Sequence, residues 1–483
     1  MFPSPAKPTG RTAFTLSGWA VSSCGPPDVV VLVDGVPQVT VKPAYRLPDV
    51  ARRFPALPGS DRAGFWFPFD PETLSPRRQT IEIRLRQPGC GERTLGQVTV
   101  TPTDPSSAAG ALPLLLLLFG ALPWALERAI PRGPAGPALG ARGCFLATAG
   151  LLAVLAGVVL LAGNGPGSRV EPGSGFFSPL ANWDGERYIS IARHGYAGTG
   201  NRTDFAWFPL FPLLVRLLDG LPLPLPLAVS IVNVTAAAAA FALLSRIEPG
   251  SRRGLTFLAL LPASFSFAVC YSEALSLLLC VLVLRSVTRE RPWAAAASGF
   301  LASLTRPTGF LVALLAIAFL RRGKRRDFAV AVSGPLFGIG AWCAWLGATT
   351  GDPLRFFHAQ KEFTRSTLFH PGRLWDYVAA AAAEPLSIDF LGLVLALVAL
   401  AGAWRLARDG RPGEALYSAA VVLAPLSTLR VTALSRYVLA AFPALVAVGN
   451  SLTARTARLA VYALEAILLL AFARRFGQHW FVT

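Results

Sequence analysis

The chain has 483 residues, 53% of them hydrophobic and 15% charged, with a mean hydropathy of +0.50. So little charge cannot cover a soluble protein of this length, which excludes an ordinary globular fold. The formal net charge of +18 would suit nucleic acid, but the basic residues sit in short connections between apolar blocks, where they set orientation across a bilayer; nucleic-acid binding is not expected.

Residues 1–12 (MFPSPAKPTGRT) carry no apolar h-region, which argues against a signal peptide. Residues 1–105 then show short alternating runs at 13–21, 28–33, 37–42, 64–69, 79–86 and 95–101. Asp34-Gly35 lies between two of them, a strong hairpin signal. Short strands at this spacing predict a small all-β sandwich over 1–105, followed by a linker at 102–107 (PTDPSS). Cys24 and Cys90 lie in this polar region and would pair in an oxidising compartment; the alternative is two unpaired thiols.

From 106 to 483 the apolar residues come in blocks near the length needed to cross a bilayer as a helix, roughly 20 residues. They lack the period-2 alternation of barrel strands, so they are expected to be helices. The blocks fall at 108–127, 144–163, 224–246, 254–269, 270–287, 293–305, 307–320, 328–349, 387–404, 413–430, 436–450 and 456–473. The expected fold is therefore a polytopic α-helical membrane protein of about twelve spans with a small N-terminal β domain. The pairs within 254–287 and 293–320 are open to being merged or re-entrant. Segment 205–219 is too short and proline-rich to cross, and is read as lying at the interface. Cys144, Cys270, Cys280 and Cys343 lie in or beside spans as core fillers.

Every second connection is basic: Arg128 to Arg142, Arg246 to Arg253, Arg285 to Arg291, Arg321 to Arg326, Arg405 to Arg411, and Arg455 with Arg458. These are expected to be cytoplasmic. The alternate connections, chiefly 164–205 and 350–386, mix both signs and are expected outside, as is the β domain by the same count.

The polar residues unusual for spans all fall on that outer side: Asp184 and its neighbours, Tyr271-Ser272-Glu273, Thr305-Arg306-Pro307, loop 350–386 and Ser435-Arg436-Tyr437. Ionisable groups at membrane depth usually mark function, and their convergence on one face implies a single site. Segment 182–196 reads as an amphipathic helix on the membrane surface. Glu186, Arg187, Ser190, Arg193 and His194 lie on one arc, and Tyr188, Ile189, Ala192 and Tyr196 on the other. Asp184 sits at its start, where free N–H groups and the helix dipole favour an ionised carboxylate. Such a carboxylate can take a proton from an acceptor hydroxyl. The plainer reading makes Asp184 a cap and Trp183 an aromatic-belt anchor.

Arg306 and Arg436 stand beside spans near their outer ends. A lipid-phosphate donor leaves a phosphate behind, and arginine forks match that leaving group; His358 and Lys361 in the outer loop add to this. The plainer reading is snorkelling arginines or partners for Glu273. There is no DxD pair in a soluble loop, no CxxC, no HExxH and no Walker motif, so no metal, no cofactor and no ATP-driven pump are expected. Asn201-Arg202-Thr203 matches a glycosylation sequon, a pattern too short to carry weight.

Over about 164–450 these motifs, in order, resemble the PIG-V family, the second mannosyltransferase of GPI-anchor assembly, and its bacterial relatives. The resemblance rests on Trp183-Asp184 with Ile191-Ala192-Arg193-His194-Gly195-Tyr196, Trp207-Phe208-Pro209-Leu210-Phe211-Pro212-Leu213, and Pro262-Ala263-Ser264 with Tyr271-Ser272-Glu273. Thr305-Arg306-Pro307-Thr308-Gly309 follows, then Gly351-Asp352-Pro353-Leu354 with His358-Ala359-Gln360, and Ser435-Arg436-Tyr437 with Phe442-Pro443. It implies a GT-C membrane fold, a polyprenyl- or dolichyl-phosphate-mannose donor, and an essential carboxylate that maps to Asp184. Trp183, Arg187, His194, Tyr271, Glu273, Gln360 and Tyr437 join Arg306, Arg436, His358 and Lys361 as candidate donor-phosphate or substrate-binding residues. The β domain is a departure; it resembles Ig-like accessory domains of bacterial envelope enzymes. The implied setting is a bacterial inner membrane, with an extracytoplasmic site and a lipid or envelope-glycan acceptor. The main expectation is an inverting, metal-independent glycosyltransferase. A flippase for lipid-linked glycans is the alternative, but it should show an internal repeat and midplane polar residues, and neither is evident. A non-catalytic partner presenting the β domain would leave Asp184, Arg306 and Arg436 unexplained.

Overall fold

The computed structural model describes residues 9–10, 14–43 without 24 and 26, 54–57, 64–69, 79–87, 91–100, 102–103, 138–164, 175–198, 202–248, 250–364, 378, 388–427 and 433–479. Cys24, Cys90 and the expected span 108–127 lie outside these residues, as does most of loop 365–387. The chain forms two compact units, one holding the strands and the other most of the helices.

In the first unit a four-stranded antiparallel sheet runs in the order β4 (Val36–Val41), β3 (Asp28–Val33), β6 (Gln79–Gln87), β7 (Gly91–Val100). β2 (Phe14–Trp19) pairs antiparallel with β5 (Gly64–Phe69), and the two-residue β1 (Thr9–Gly10) pairs parallel with β8 (Pro102–Thr103). All six alternating runs are thus strands. β3 is a continuous apolar run rich in valine and is buried from Val29 to Val33, as suits a central strand. β6 alternates: Ile81, Ile83 and Leu85 join Val29, Val31 and Val33 in the core, while Glu82 and Arg84 face outward. Asp34 and Gly35 take φ of 48° and 82°, the left-handed pair of a tight hairpin turn. Asp34 Oδ1 accepts from the Thr80 amide at 2.6 Å and so ties the turn to β6.

In the second unit the helices are, in chain order, α1 (Ala138–Gly163), α2 (Asp184–Gly198), α3 (Leu210–Leu218), α4 (Leu225–Ile247), α5 (Arg252–Leu260), α6 (Glu273–Thr288), α7 (Pro292–Ser303), α8 (Ile317–Arg321) and α9 (Arg325–Thr350). Then come α10 (Arg355–Thr364), α11 (Ile388–Arg408), α12 (Pro412–Ser427), α13 (Leu434–Val438), α14 (Phe442–Ser451) and α15 (Arg455–Gly477). The end of α1, from Leu160, packs in the first unit. Among the described residues five helices are long and apolar enough to cross a membrane: Ala141–Gly163, Leu225–Ile247, Arg325–Thr350, Ile388–Arg408 and Arg455–Gly477. The protein is therefore read as an integral membrane protein.

The other expected spans among the described residues are shorter or broken. The 254–269 block is not one helix: α5 ends at Leu260, Pro262 opens a 3-10 turn through Phe267, and α6 begins at Glu273. Proline has no amide to continue the α ladder, so the helix is interrupted there. The 307–320 block is mostly a 3-10 segment, Gly309–Ala316, leading into α8. The 436–450 block divides into α13, a 3-10 turn and α14 at Phe442-Pro443. Segment 205–219 contains the nine-residue α3, which buries Phe211, Pro212 and Val215 and is too short to span a bilayer.

The breaks leave backbone groups that α4 satisfies. Ser230 Oγ donates to the Ala268 carbonyl at 2.5 Å, and Asn233 Nδ2 donates to the Val269 and Tyr271 carbonyls at 2.5 and 2.8 Å. Left unpaired, each buried carbonyl would cost roughly 1–3 kcal/mol. At the other end of α6 the basic connections are tied together. Arg322 donates to the Val287 carbonyl at 3.1 Å, Lys324 pairs with Glu290, Arg321 reaches the Gly410 carbonyl, and Arg411 joins Glu248 and Glu414. Four of the basic connections, 246–253, 285–291, 321–326 and 405–411, thus meet one another, and Glu273 stands at the opposite end of α6.

Candidate active site

The site is assembled from chain breaks, where side chains at helix ends can turn toward one another. α2 begins at Asp184, directly after Trp183, whose φ of 61° is left-handed. A bulky residue in that region is strained by roughly 1–3 kcal/mol and is held there by its surroundings. Three contacts do the holding. The Cys270 amide donates to the Leu180 carbonyl at 2.8 Å. Gly185 packs so closely on Cys270 that a Cβ would come within 3.2 Å of the Cys270 Cβ. Tyr188 Oη donates to Ser272 Oγ at 2.9 Å. The 268–273 segment, itself clamped by Asn233, therefore fixes where α2 starts.

Four charged side chains converge at this point. Glu273, the first residue of α6, lies 2.6 Å from Arg306 Nη1 through its Oε1. The same oxygen lies 3.1 Å from Arg436 Nε, an ion pair without hydrogen-bond geometry. Arg436 Nη2 reaches Asp184 Oδ2 at 2.7 Å. Glu273, Arg306 and Arg436 are buried, whereas the Asp184 side chain keeps 29% of its exposure. The guanidinium of Arg436 stands 4.5 Å from the Tyr271 ring centroid, and that of Arg306 stands 5.2 Å from Tyr437. Two cations and two anions sum formally to zero, which is how such groups tolerate burial. Beneath them a small cavity lined by Phe267, Glu273, Cys280, Arg306, Tyr417 and Arg436 has room for about one water molecule.

Of the residues singled out in the sequence, Asp184, Tyr271, Glu273, Arg306, Arg436 and Tyr437 come together, with Trp183 adjoining Asp184. The plainer reading of the arginines is half realised: both are partners for Glu273. Asp184 is paired by a guanidinium as well as placed at a helix start, which the sequence reading did not foresee. Arg187, His194 and His358 make other contacts. Arg187 Nη1 lies 3.8 Å from Asp204 Oδ1, a carboxylate wholly buried behind it. His194 is exposed, with Nδ1 3.0 Å from the Ser190 carbonyl. His358 Nδ1 lies 2.6 Å from Asp352 Oδ2, and the His358 ring beside Asp352 holds that carboxyl below the usual carboxylate range. The side chains of Gln360 and Lys361 lie outside the described residues.

Residues missed in the sequence are those that hold the site's backbone: Asn233, Ser230, Tyr188 and Asn182, whose Nδ2 donates to the Phe476 carbonyl at 2.7 Å. Asn233 did carry a signal, a lone amide inside the apolar run SIVNVTAAAAA. Among the described residues no group of three or more His, Cys, Asp or Glu side chains gathers closely enough to share a metal ion.

No family model matches the chain. Two curated proteins are similar to part of it. GPI alpha-1,6-mannosyltransferase 2 of Cricetulus griseus is 32% identical over 183 residues, 34% of this chain and 35% of that protein. GPI alpha-1,6-mannosyltransferase 2 of Rattus norvegicus is 32% identical over 181 residues, 33% of this chain and 35% of that protein. The matched stretch thus spans about a third of the length of these curated relatives.

Proposed function

We propose that this protein is a membrane glycosyltransferase that moves a sugar, mannose in the first instance, from a polyprenyl- or dolichyl-phosphate carrier to a lipid or envelope-glycan acceptor on the extracytoplasmic face. The observation that carries the reading is the Asp184–Arg436–Glu273–Arg306 cluster, with one half-open carboxylate beside two buried guanidiniums. The similarity to two mannosyltransferases supports the sugar and the reaction class.

The chemistry follows from the charges. An acceptor hydroxyl attacks the anomeric carbon while a base takes its proton, and Asp184 is the solvent-reached carboxylate of the cluster. The carrier phosphate leaves as an anion, and the Arg306 and Arg436 forks stabilise it. Glu273 holds both guanidiniums in place beforehand, so little reorganisation is needed during transfer. Attack opposite the departing phosphate inverts the anomeric centre. The test is a transfer assay of purified protein with polyprenyl-phosphate-mannose and extracted envelope lipids. Product with an inverted linkage is expected. Absence of transfer from mannose, glucose and galactose carriers alike would overturn the reading.

A further inference from the structure

We infer that Arg436 is shared between Asp184 and the carrier phosphate, so that the base and the leaving group compete for one guanidinium. This rests on the reading that a lipid phosphate binds at Arg306 and Arg436. A guanidinium presents its N–H donors in one plane. The Tyr271 ring stands over Arg436 at 4.5 Å, so anions approach it along its edges. One edge faces Glu273 at 3.1 Å and another is held by Asp184 at 2.7 Å. Glu273 is buried and also occupies Arg306, whereas Asp184 is the more exposed of the two carboxylates. The four groups sum formally to zero, so an arriving anion gains little attraction until one carboxylate loosens its hold, and Asp184 is the one with room to move.

Sharing also fits the transfer step. The acceptor oxygen bonds to the anomeric carbon and its proton passes to the Asp184 carboxylate. The bond from the anomeric carbon to the phosphate oxygen breaks, and its electron pair stays on that oxygen, so the phosphate goes from one negative charge to two. Negative charge disappears from Asp184 as it appears on the phosphate, and Arg436 follows it from one to the other. Asp184 thus restrains carrier binding at rest and releases Arg436 to the leaving group during the reaction.

The experiment measures binding of polyprenyl monophosphate, the carrier product, to full-length protein in detergent, with no turnover required. Asp184→Asn removes the competing charge and should tighten binding roughly three- to tenfold. Glu186→Gln removes the same charge two residues along α2; under sharing it leaves binding unchanged, whereas a general field effect would tighten it as much as Asp184→Asn does. Unchanged thermal unfolding midpoints establish that each variant is folded. Equal affinity of the parent and Asp184→Asn, or equal tightening by Glu186→Gln, overturns the sharing while leaving phosphate binding intact. Failure of the parent to bind the carrier phosphate at all removes the phosphate site, and the sharing with it.

Discussion

Asp184 and Glu273 are both carboxylates against Arg436, but their surroundings give them different tasks. Glu273 is enclosed and meets both arginines, so it organises charge. Asp184 is partly open and meets Arg436 through one oxygen, and on the proposed reading it is the carboxylate that an acceptor hydroxyl would reach. Asp184→Asn keeps the size and suits a helix start about as well as Asp. Membrane insertion and folding should survive, while transfer should fall by roughly 10²–10⁴-fold. Glu186→Gln should stay within tenfold of the parent in the same donor–acceptor assay. Near-normal transfer by Asp184→Asn would make this carboxylate structural. The candidate residues themselves were legible because charge within an apolar chain stands out. Their pairing was not: Asp184, Glu273, Arg306 and Arg436 are far apart in sequence, and no periodicity says that one Glu273 oxygen meets two guanidiniums.

The elements show the same division between local and distant causes. The hairpin at Asp34-Gly35 was legible, because the turn needs two residues that tolerate left-handed φ. The 3-10 segment at 309–316 was not, since a uniformly apolar run fits a three-residue or a 3.6-residue turn equally well. Helix crossings depend on small residues that sequence alone leaves ambiguous. A Cβ on Gly334 of α9 would collide with the Ala296 carbonyl of α7. Gly334→Ala should therefore separate the two helices and destabilise the protein by about 1–3 kcal/mol, read as a lower thermal midpoint in detergent. An unchanged midpoint would show that the crossing is loose. In the strand unit, Arg84 and Thr94 hydrogen-bond Glu82 and hold its carboxyl at about 2, against an ordinary value of 4.5. Because the folded value is depressed, this stabilisation is present above about pH 4.5 and is lost as pH falls toward 2. Hydrogen exchange of β6 and β7 amides should stay flat from pH 7 to about 4.5 after correction for intrinsic rates, then lose protection. Glu82→Gln should lack that step, and an identical step in the variant would assign it to other groups.

For the whole molecule, four basic connections meet at the end of α6 opposite Glu273, and the proposed topology can be tested on them. By the positive-inside rule, a reporter fused after Lys324 should behave as cytoplasmic and one inserted within 366–372 as external. The reverse pattern would put Asp184 on the wrong face for the proposed carrier. The alternation of loop charge made the meeting of the 246–253, 285–291, 321–326 and 405–411 connections legible from sequence. The helix boundaries were less so, because a block such as 254–269 looks like one span by composition and is interrupted at Pro262.

The bond from Asn182 to the Phe476 carbonyl links the loop that aims Asp184 to the far end of α15, and the Phe476 ring also rests against Phe265 and Tyr271. Ribosomes make Asp184, Glu273, Arg306 and Arg436 well before residue 476. Every charged partner can therefore be threaded into the bilayer while the latch that steadies the loop is still unmade. Activity should switch on late in biogenesis, once α15 has inserted. A chain stopped after Ser451 should reach the membrane with all four charges present yet transfer little sugar, and supplying α15 as a separate peptide should restore part of the rate. Full activity of the stopped chain would show that the latch is dispensable.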